Sequence, residues 1–87
     1  MPQFRKKRTI TVEAFLYSGY LRFLRLWFED IGAGYAETID HSHPLHPSII
    51  TPKGLVGLPR GHYIIRKANG KFYSCPADVF HELYEQT

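Results

Sequence analysis

The residues that could do chemistry are three histidines in one loop and a single cysteine near the C-terminus. His41, His43 and His46 stand at a spacing that suggests a metal site, because imidazole nitrogens are common zinc ligands. Two prolines stiffen this loop, and Asp40 is the one further ligand type beside it. We therefore predict an irregular loop without a metal, and the sequence predicts no cofactor.

Cys75 is the only cysteine, so no internal disulfide can form, and a reducing cytoplasmic setting is expected. Paired with His62 or His81 it could act as a nucleophile, and a position before a helix would lower its thiol pKa. The same residues could complete a metal site with the histidine loop. No oxyanion motif or third orienting group accompanies them, so the sequence favours a buried structural cysteine. We predict a protein that is not an enzyme, with an enzyme using Cys75 as the remaining alternative.

Size and composition predict one small α+β domain over residues 1–87, with residues 1–8 as a basic N-terminal arm. The chain has 87 residues, 44% of them hydrophobic and 15% aromatic, which suffices for one packed core. Charged side chains interrupt its most apolar segment, residues 20–31, so no membrane span is expected. Glycines 54, 57 and 61 do not fit a phosphate-loop spacing.

Hydrophobic periodicity predicts a mainly antiparallel sheet of about four strands, one long helix packed on it and a short C-terminal helix. Ser18 is a candidate N-cap for the long helix, over Gly19 to Ile31, and Gly32 would end it. The charges of this helix oppose its dipole, so packing must hold it. The remaining predicted elements are strands over 9–15, 35–40, 49–51 and 55–58, a helix over 76–83 and an extended tail over 83–86.

A β-hairpin is predicted where two apolar segments flank Asn69-Gly70. This pair is favoured in a two-residue type I′ turn. A loop of that length would place Arg66 opposite Tyr73 and Ile65 opposite Ser74. Ile64, Arg66, Tyr73 and Cys75 would then share one face, with Ile65, Lys67 and Phe72 on the other.

Charge and aromatic content suggest two kinds of binding surface. The net charge is +3, and the cluster Arg5, Lys6, Lys7 and Arg8 in the arm could contact nucleic acid. Aromatic and basic side chains could instead bind a protein, since Trp, Tyr and Arg are typical interface anchors. The candidate partner-binding residues are Trp27, Arg60, His62, Arg66, Lys67, Lys71 and Tyr73.

Both ends of the chain resemble a family of small proteins encoded by tailed bacteriophages and prophages. Phe4-Arg-Lys-Lys7 with Ile10-Thr-Val-Glu-Ala14 is similar to that family's "RKKPV-x-VEA" start. Near the C-terminus, Arg60 and His62 differ from the family, which usually has proline and aspartate at those two positions. The family's "PGDYIIRG-x-x-GEFYPCKPDIF-x-x-TYE" end is matched by Gly61, Tyr63, Ile64, Ile65, Arg66, Gly70, Phe72, Tyr73, Cys75, Asp78, Val79, Phe80, Tyr84 and Glu85.

The resemblance implies a phage setting in a bacterial host cell and brings no catalytic residues, because the family has no assigned activity. The expected function is a non-enzymatic accessory protein that binds a host or phage protein, such as an inhibitor of host defence or a modulator of host machinery. The alternative is a nucleic-acid-binding accessory protein that uses the basic arm and the hairpin. The sequence leaves the oligomeric state open.

Overall fold

The structure is a computed structural model and describes residues 3–6 and 11–86. This part of the chain contains eight strands and three helices. The helices are α1 (Leu21–Asp30), α2 (Tyr35–Thr38) and α3 (Ala77–Leu83). The strands are β1 (Gln3–Lys6), β2 (Thr11–Leu16), β3 (Ile39–Asp40), β4 (Ser48–Thr51), β5 (Gly54–Gly57), β6 (His62–Arg66), β7 (Phe72–Pro76) and β8 (Tyr84–Gln86).

Two antiparallel sheets form the framework. One has five strands in the order β7-β6-β2-β1-β8, and the other has three in the order β3-β4-β5. The predicted α+β class and antiparallel pairing are confirmed. The predicted single sheet of about four strands is wrong, because the middle strands form a sheet of their own.

The predicted basic arm is in part a strand. Gln3–Lys6 form β1, which pairs with β2 on one side and with β8 on the other. The backbone of Arg5 therefore pairs with both neighbouring strands, and that of Lys6 pairs with Tyr84 of β8. Lys7 and Arg8, and the predicted strand start at Thr9, lie outside the described residues.

Each face of the five-stranded sheet carries its own hydrophobic cluster, because side chains alternate along β2 and β6. Val12 and Ala14 pack with Tyr63 and Ile65 on one face, where Phe80 of α3 is fully buried. The opposite face packs against α1 and the three-stranded sheet. Its cluster consists of Tyr17, Leu24, Trp27, Phe28, Ile39, Ile49, Leu58 and Ile64.

Helix α1 begins later than predicted and ends as predicted. Its N-cap is Tyr20, without a side-chain cap, and Gly19 before it has a positive φ of 99°, which does not continue a helix. Gly32 (φ 68°) donates its N–H to the Glu29 carbonyl, and Ala33 donates to that of Phe28. These two bonds are the Schellman motif that ends many helices at glycine.

The predicted strand over 35–40 is wrong in its first four residues. Tyr35–Thr38 form the helical turn α2, and only Ile39–Asp40 are extended. The turn sets the Tyr35 ring edge-on against Phe28, at 5.5 Å between centroids. Tertiary packing of this aromatic ring therefore outweighs the local strand preference.

The β6–β7 hairpin is confirmed, but its turn and register differ from the prediction. Gly70 donates to the Lys67 carbonyl (2.9 Å), and Lys67 donates to that of Lys71 (3.0 Å). The loop is thus Ala68-Asn69-Gly70, with Gly70 in the left-handed region at φ 82°. This longer loop shifts the register by one residue, so Arg66 faces Phe72.

The new register changes which side chains share a face. Ile65 faces Tyr73, and Tyr63 faces Cys75. Phe72 therefore lies on the α1 face and stacks on Phe28 at 5.2 Å between centroids. Tyr73 lies on the opposite face.

We expect Gly70→Ala to lower the free energy of unfolding by about 1–2 kcal/mol, because an L-residue is disfavoured at positive φ. A Cβ at this position would meet no atom within 4 Å, so backbone strain alone is tested. Urea unfolding followed by circular dichroism measures the loss. Gly70→Asn should lose less, because asparagine tolerates this conformation. Equal stability of Gly70→Ala and the wild type would contradict the assigned turn.

Candidate functional site

A trench runs between the outer edge of β7 and the β4–β5 hairpin. Its volume is about 600 Å³. Ile50, Lys53 and Val56 contribute to one wall, and Lys71, Phe72 and Ser74 contribute to the other. We call this feature the β7 trench.

The β7 trench combines apolar walls with a positively charged rim. Ile50 and Val56 are 44% and 41% exposed, so both strands of the β4–β5 hairpin contribute accessible apolar surface. Lys53 and Lys71 are both exposed at the trench, and none of its lining residues is Asp or Glu. Its charges therefore favour an acidic ligand with apolar side chains.

The hairpin tip extends this rim and brings together three of the predicted partner-binding residues. Lys67 Nζ lies 4.5 Å from the ring centroid of Tyr73, and Tyr73 lines the trench at 39% exposure. Lys71 donates its backbone N–H to Asn69 Oδ1 (2.9 Å), which fixes the turn. Lys67, Lys71 and Tyr73 thus form one cationic and aromatic surface.

Arg66 joins the sheet to α1, a role that the sequence analysis missed. Its Nε donates to Glu13 Oε1 at 2.7 Å, and its Nη2 binds the same oxygen. Its Nη1 donates to the carbonyl of Ile31, the C-cap of α1, at 3.1 Å. A cation is favoured at this end of a helix dipole. These bonds occupy the guanidinium that was predicted to bind a partner.

Arg60 and His62 lie away from the β7 trench. His62 and Arg66 stand at opposite ends of β6, about 13 Å apart at roughly 3.3 Å per residue. The Arg60 side chain instead lies beside Gly19, where an added Cβ would stand 3.3 Å from Arg60 Cδ. The predicted partner-binding set therefore separates into a group at the tip and a group at the base of the hairpin.

Trp27, the remaining predicted contact residue, is a core residue at 4% exposure. Its ring stacks on Phe15 at 5.8 Å and meets Phe28 edge-on at 5.4 Å. Its Nε1 is buried and has no hydrogen-bond partner among the described residues. The indole therefore stabilises the face between α1 and the sheet and offers no contact surface.

The histidine loop makes contacts within the chain. His41 Nε2 shares a hydrogen bond with the Tyr35 hydroxyl (3.1 Å), and the rings of His43 and His46 stack at 4.0 Å. Leu45 donates its N–H to His43 Nδ1 at 3.1 Å. Within residues 3–6 and 11–86, no three His, Cys, Asp or Glu side chains are grouped to hold a metal ion.

Cys75 does not have the environment of an activated nucleophile. Burial, with a further contribution from Asp78, raises the pKa of its thiol, which is opposite to the lowering that a position before a helix would give. Its Sγ contacts the Pro76 carbonyl at 3.5 Å. The His81 ring packs edge-on against Tyr63, at 5.6 Å between centroids. No hydrogen bond joins the thiol to an imidazole in the described part of the chain.

Comparison with protein-family models, with curated proteins and with solved structures gives no match to this chain. Among the described residues, no helix has the length and apolar character needed to cross a membrane.

We expect Arg66→Met to lower the free energy of unfolding by about 1–2 kcal/mol, since it removes charged hydrogen bonds that are partly screened by solvent. The paired Arg66 and Glu13 side chains are 25% and 26% exposed. Lys67→Met is the matched control, because Lys67 is exposed and should change stability by less than about 0.5 kcal/mol. Equal urea midpoints for the two variants would contradict the bridging role of Arg66.

We also expect stability to fall as the pH rises above about 8.5, the ordinary pKa of a thiol. Burial raises the pKa of Cys75 and of the hydroxyls of Tyr17, Tyr63 and Tyr84. The folded state therefore retains protons that the unfolded state releases, so stability is complete below the unfolded pKa values and is lost above them.

Urea unfolding at a series of pH values measures this loss. In Cys75→Ala, the loss of stability that begins near pH 8.5 should disappear. The loss due to the tyrosines should remain and begin near pH 10, the ordinary pKa of a phenol. Stability that stays constant or rises across this range would contradict the burial of these groups.

Proposed function

We propose that this chain is a non-enzymatic phage or prophage accessory protein that binds a host or phage protein through the β7 trench. The observation that carries the proposal is the trench itself, with apolar walls, a lysine rim and no acidic lining residue. Inhibition of host defence or modulation of host machinery in the bacterial cytoplasm is the proposed consequence. The phage setting rests on the resemblance of the two chain ends.

The exposed side chains of the trench support protein binding. Three of these side chains, those of Ile50, Val56 and Tyr73, face solvent in the free protein. The hydrophobic free energy of burying them is therefore still available to a partner. A partner that covers them would gain this burial at the centre of the interface, and Lys53 and Lys71 would form a polar rim around it. This arrangement of an apolar centre and a charged rim is typical of specific protein interfaces.

The alternative, binding to nucleic acid, is favoured by the lysines alone. Lys53 and Lys71 are exposed at the trench, and Lys67 is exposed at the hairpin tip. Such binding would weaken steeply with salt, because it depends on the release of counterions. It would depend little on the aliphatic side chains of the trench, which distinguishes it from protein binding.

The test is affinity capture from nuclease-treated bacterial lysate, followed by binding measurements with the purified partner. We expect Val56→Glu to weaken binding at least tenfold, because it places a charge in the apolar wall. Leu26→Glu is the matched control, because Leu26 is exposed on α1 and outside the β7 trench. Binding by wild type and control should survive about 0.5 M NaCl, where electrostatic contacts are screened.

Two results would contradict protein binding through the trench. One is equal affinity of Val56→Glu and Leu26→Glu for the purified partner. The other is capture that disappears on nuclease treatment and is replaced by salt-sensitive binding of labelled DNA or RNA. Circular dichroism of each variant verifies that it is folded.

A further inference from the structure

Strand β7 has one paired edge and one open edge. It pairs with β6 and is the outermost strand of its sheet. The hydrogen bond from Lys67 N–H to the Lys71 carbonyl shows that the backbone of Lys71 points towards β6. Backbone groups alternate along a strand, so Tyr73 and Cys75 also point towards β6. The N–H and C=O groups of Phe72 and Ser74 therefore point away from β6.

These outward groups face the β7 trench. Phe72 and Ser74 both line it, and β4 and β5 form its other wall. No backbone hydrogen bond joins β7 to β4 or β5 among the described residues. The trench therefore offers two N–H donors and two carbonyl acceptors in strand geometry, beside apolar side chains.

The open edge has a definite length. Pro76 has the same outward orientation as Ser74, but it lacks an N–H, so donors end before it. At the other end, the turn at Gly70 breaks the regular ladder. The edge thus accommodates a short strand, because only Phe72 and Ser74 present both an outward donor and an outward acceptor.

We propose that the β7 trench binds an extended segment of the partner protein as an added strand on β7. This inference rests on the proposed function. Alternate side chains of the segment would pack against Val56 and Phe72, and acidic residues flanking it would meet Lys53 and Lys71. The sequence class recognised is a short apolar β-strand with Asp or Glu at its ends.

The first probe is a display library of random peptides about twelve residues long, a length that covers a short strand and both flanks. Peptides recovered on the wild type should combine alternating apolar residues with acidic flanks, and Val56→Glu should not recover them. Recovery of basic or non-apolar peptides, or of none, would overturn the proposal.

Ser74→Pro tests strand addition directly, because it removes an outward N–H that makes no bond to β6. Ser74→Ala is the matched control, since it changes the side chain and keeps the N–H. Proline should weaken peptide binding at least tenfold relative to alanine. Equal affinity of the two variants would overturn strand addition, even where Val56→Glu confirms the trench as the binding site.

Should Ser74→Pro fail to fold, N-methylated peptides give the same information with the wild-type protein. Two peptides are compared, one N-methylated at its odd-numbered residues and one at its even-numbered residues. Only one of the two should lose binding, because an added strand donates to β7 from every second residue. Equal affinity of the two methylated peptides would overturn the proposal.

The other occupants of the trench would be recognised in the same experiments. A self-associated protein that Ser74→Pro makes monomeric in light scattering would indicate a second copy of this chain on β7. Labelled single-stranded DNA that binds more tightly than the selected peptides, equally to Ser74→Pro and Ser74→Ala, would indicate nucleic acid. Either result would overturn the peptide proposal.

Discussion

The register of the β6–β7 hairpin is the constraint on which the rest of the structure depends. Its three-residue loop is closed by hydrogen bonds from Gly70 to the Lys67 carbonyl and from Lys67 to the Lys71 carbonyl, with Gly70 at a positive φ that other residues rarely adopt. Phe72 consequently enters the core and stacks on Phe28, and Tyr73 stands beside Lys67 on the other face. A slip of one residue would exchange these two rings and remove both the core contact and the aromatic part of the tip.

Helix α1 illustrates how packing overcomes unfavourable local electrostatics. Its first turn has no acidic residue and its last turn no basic one. Its place is secured by the buried rings of Trp27 and Phe28, and by Arg66, which reaches from β6 to the Ile31 carbonyl. The helix therefore takes its missing positive charge from the sheet, through the residue that also pairs with Glu13.

Local patterns predicted most elements, whereas contacts between distant segments decided the rest. Gly32 marked the end of α1, and Asn69-Gly70 marked a hairpin, because these signals act within a few residues. The same dipeptide fits loops of two or three residues, so it could not fix the register. Charge alone suggested a free arm at the N-terminus, although β1 pairs on both sides.

The candidate site could be predicted from the sequence only in part, because contacts between distant segments form the rest of it. Lys67, Lys71 and Tyr73 are close in sequence and were identified together. Ile50 and Val56 read as ordinary strand residues, because their exposure depends on how the small sheet stands beside β7. Two apolar neighbours within the four residues of β4, Ile49 and Ile50, were the one available signal, because only one of them can face the core and the other is left exposed.

Amide hydrogen exchange at single residues shows whether β7 presents an unpaired edge. In the free protein, we expect slow exchange for the N–H groups of Tyr73 and Cys75, which bond to β6. We expect fast exchange for the N–H groups of Phe72 and Ser74, and protection of both when the trench is occupied. Equal protection of all four amides in the free protein would show that the edge is already covered and that β7 cannot add a strand.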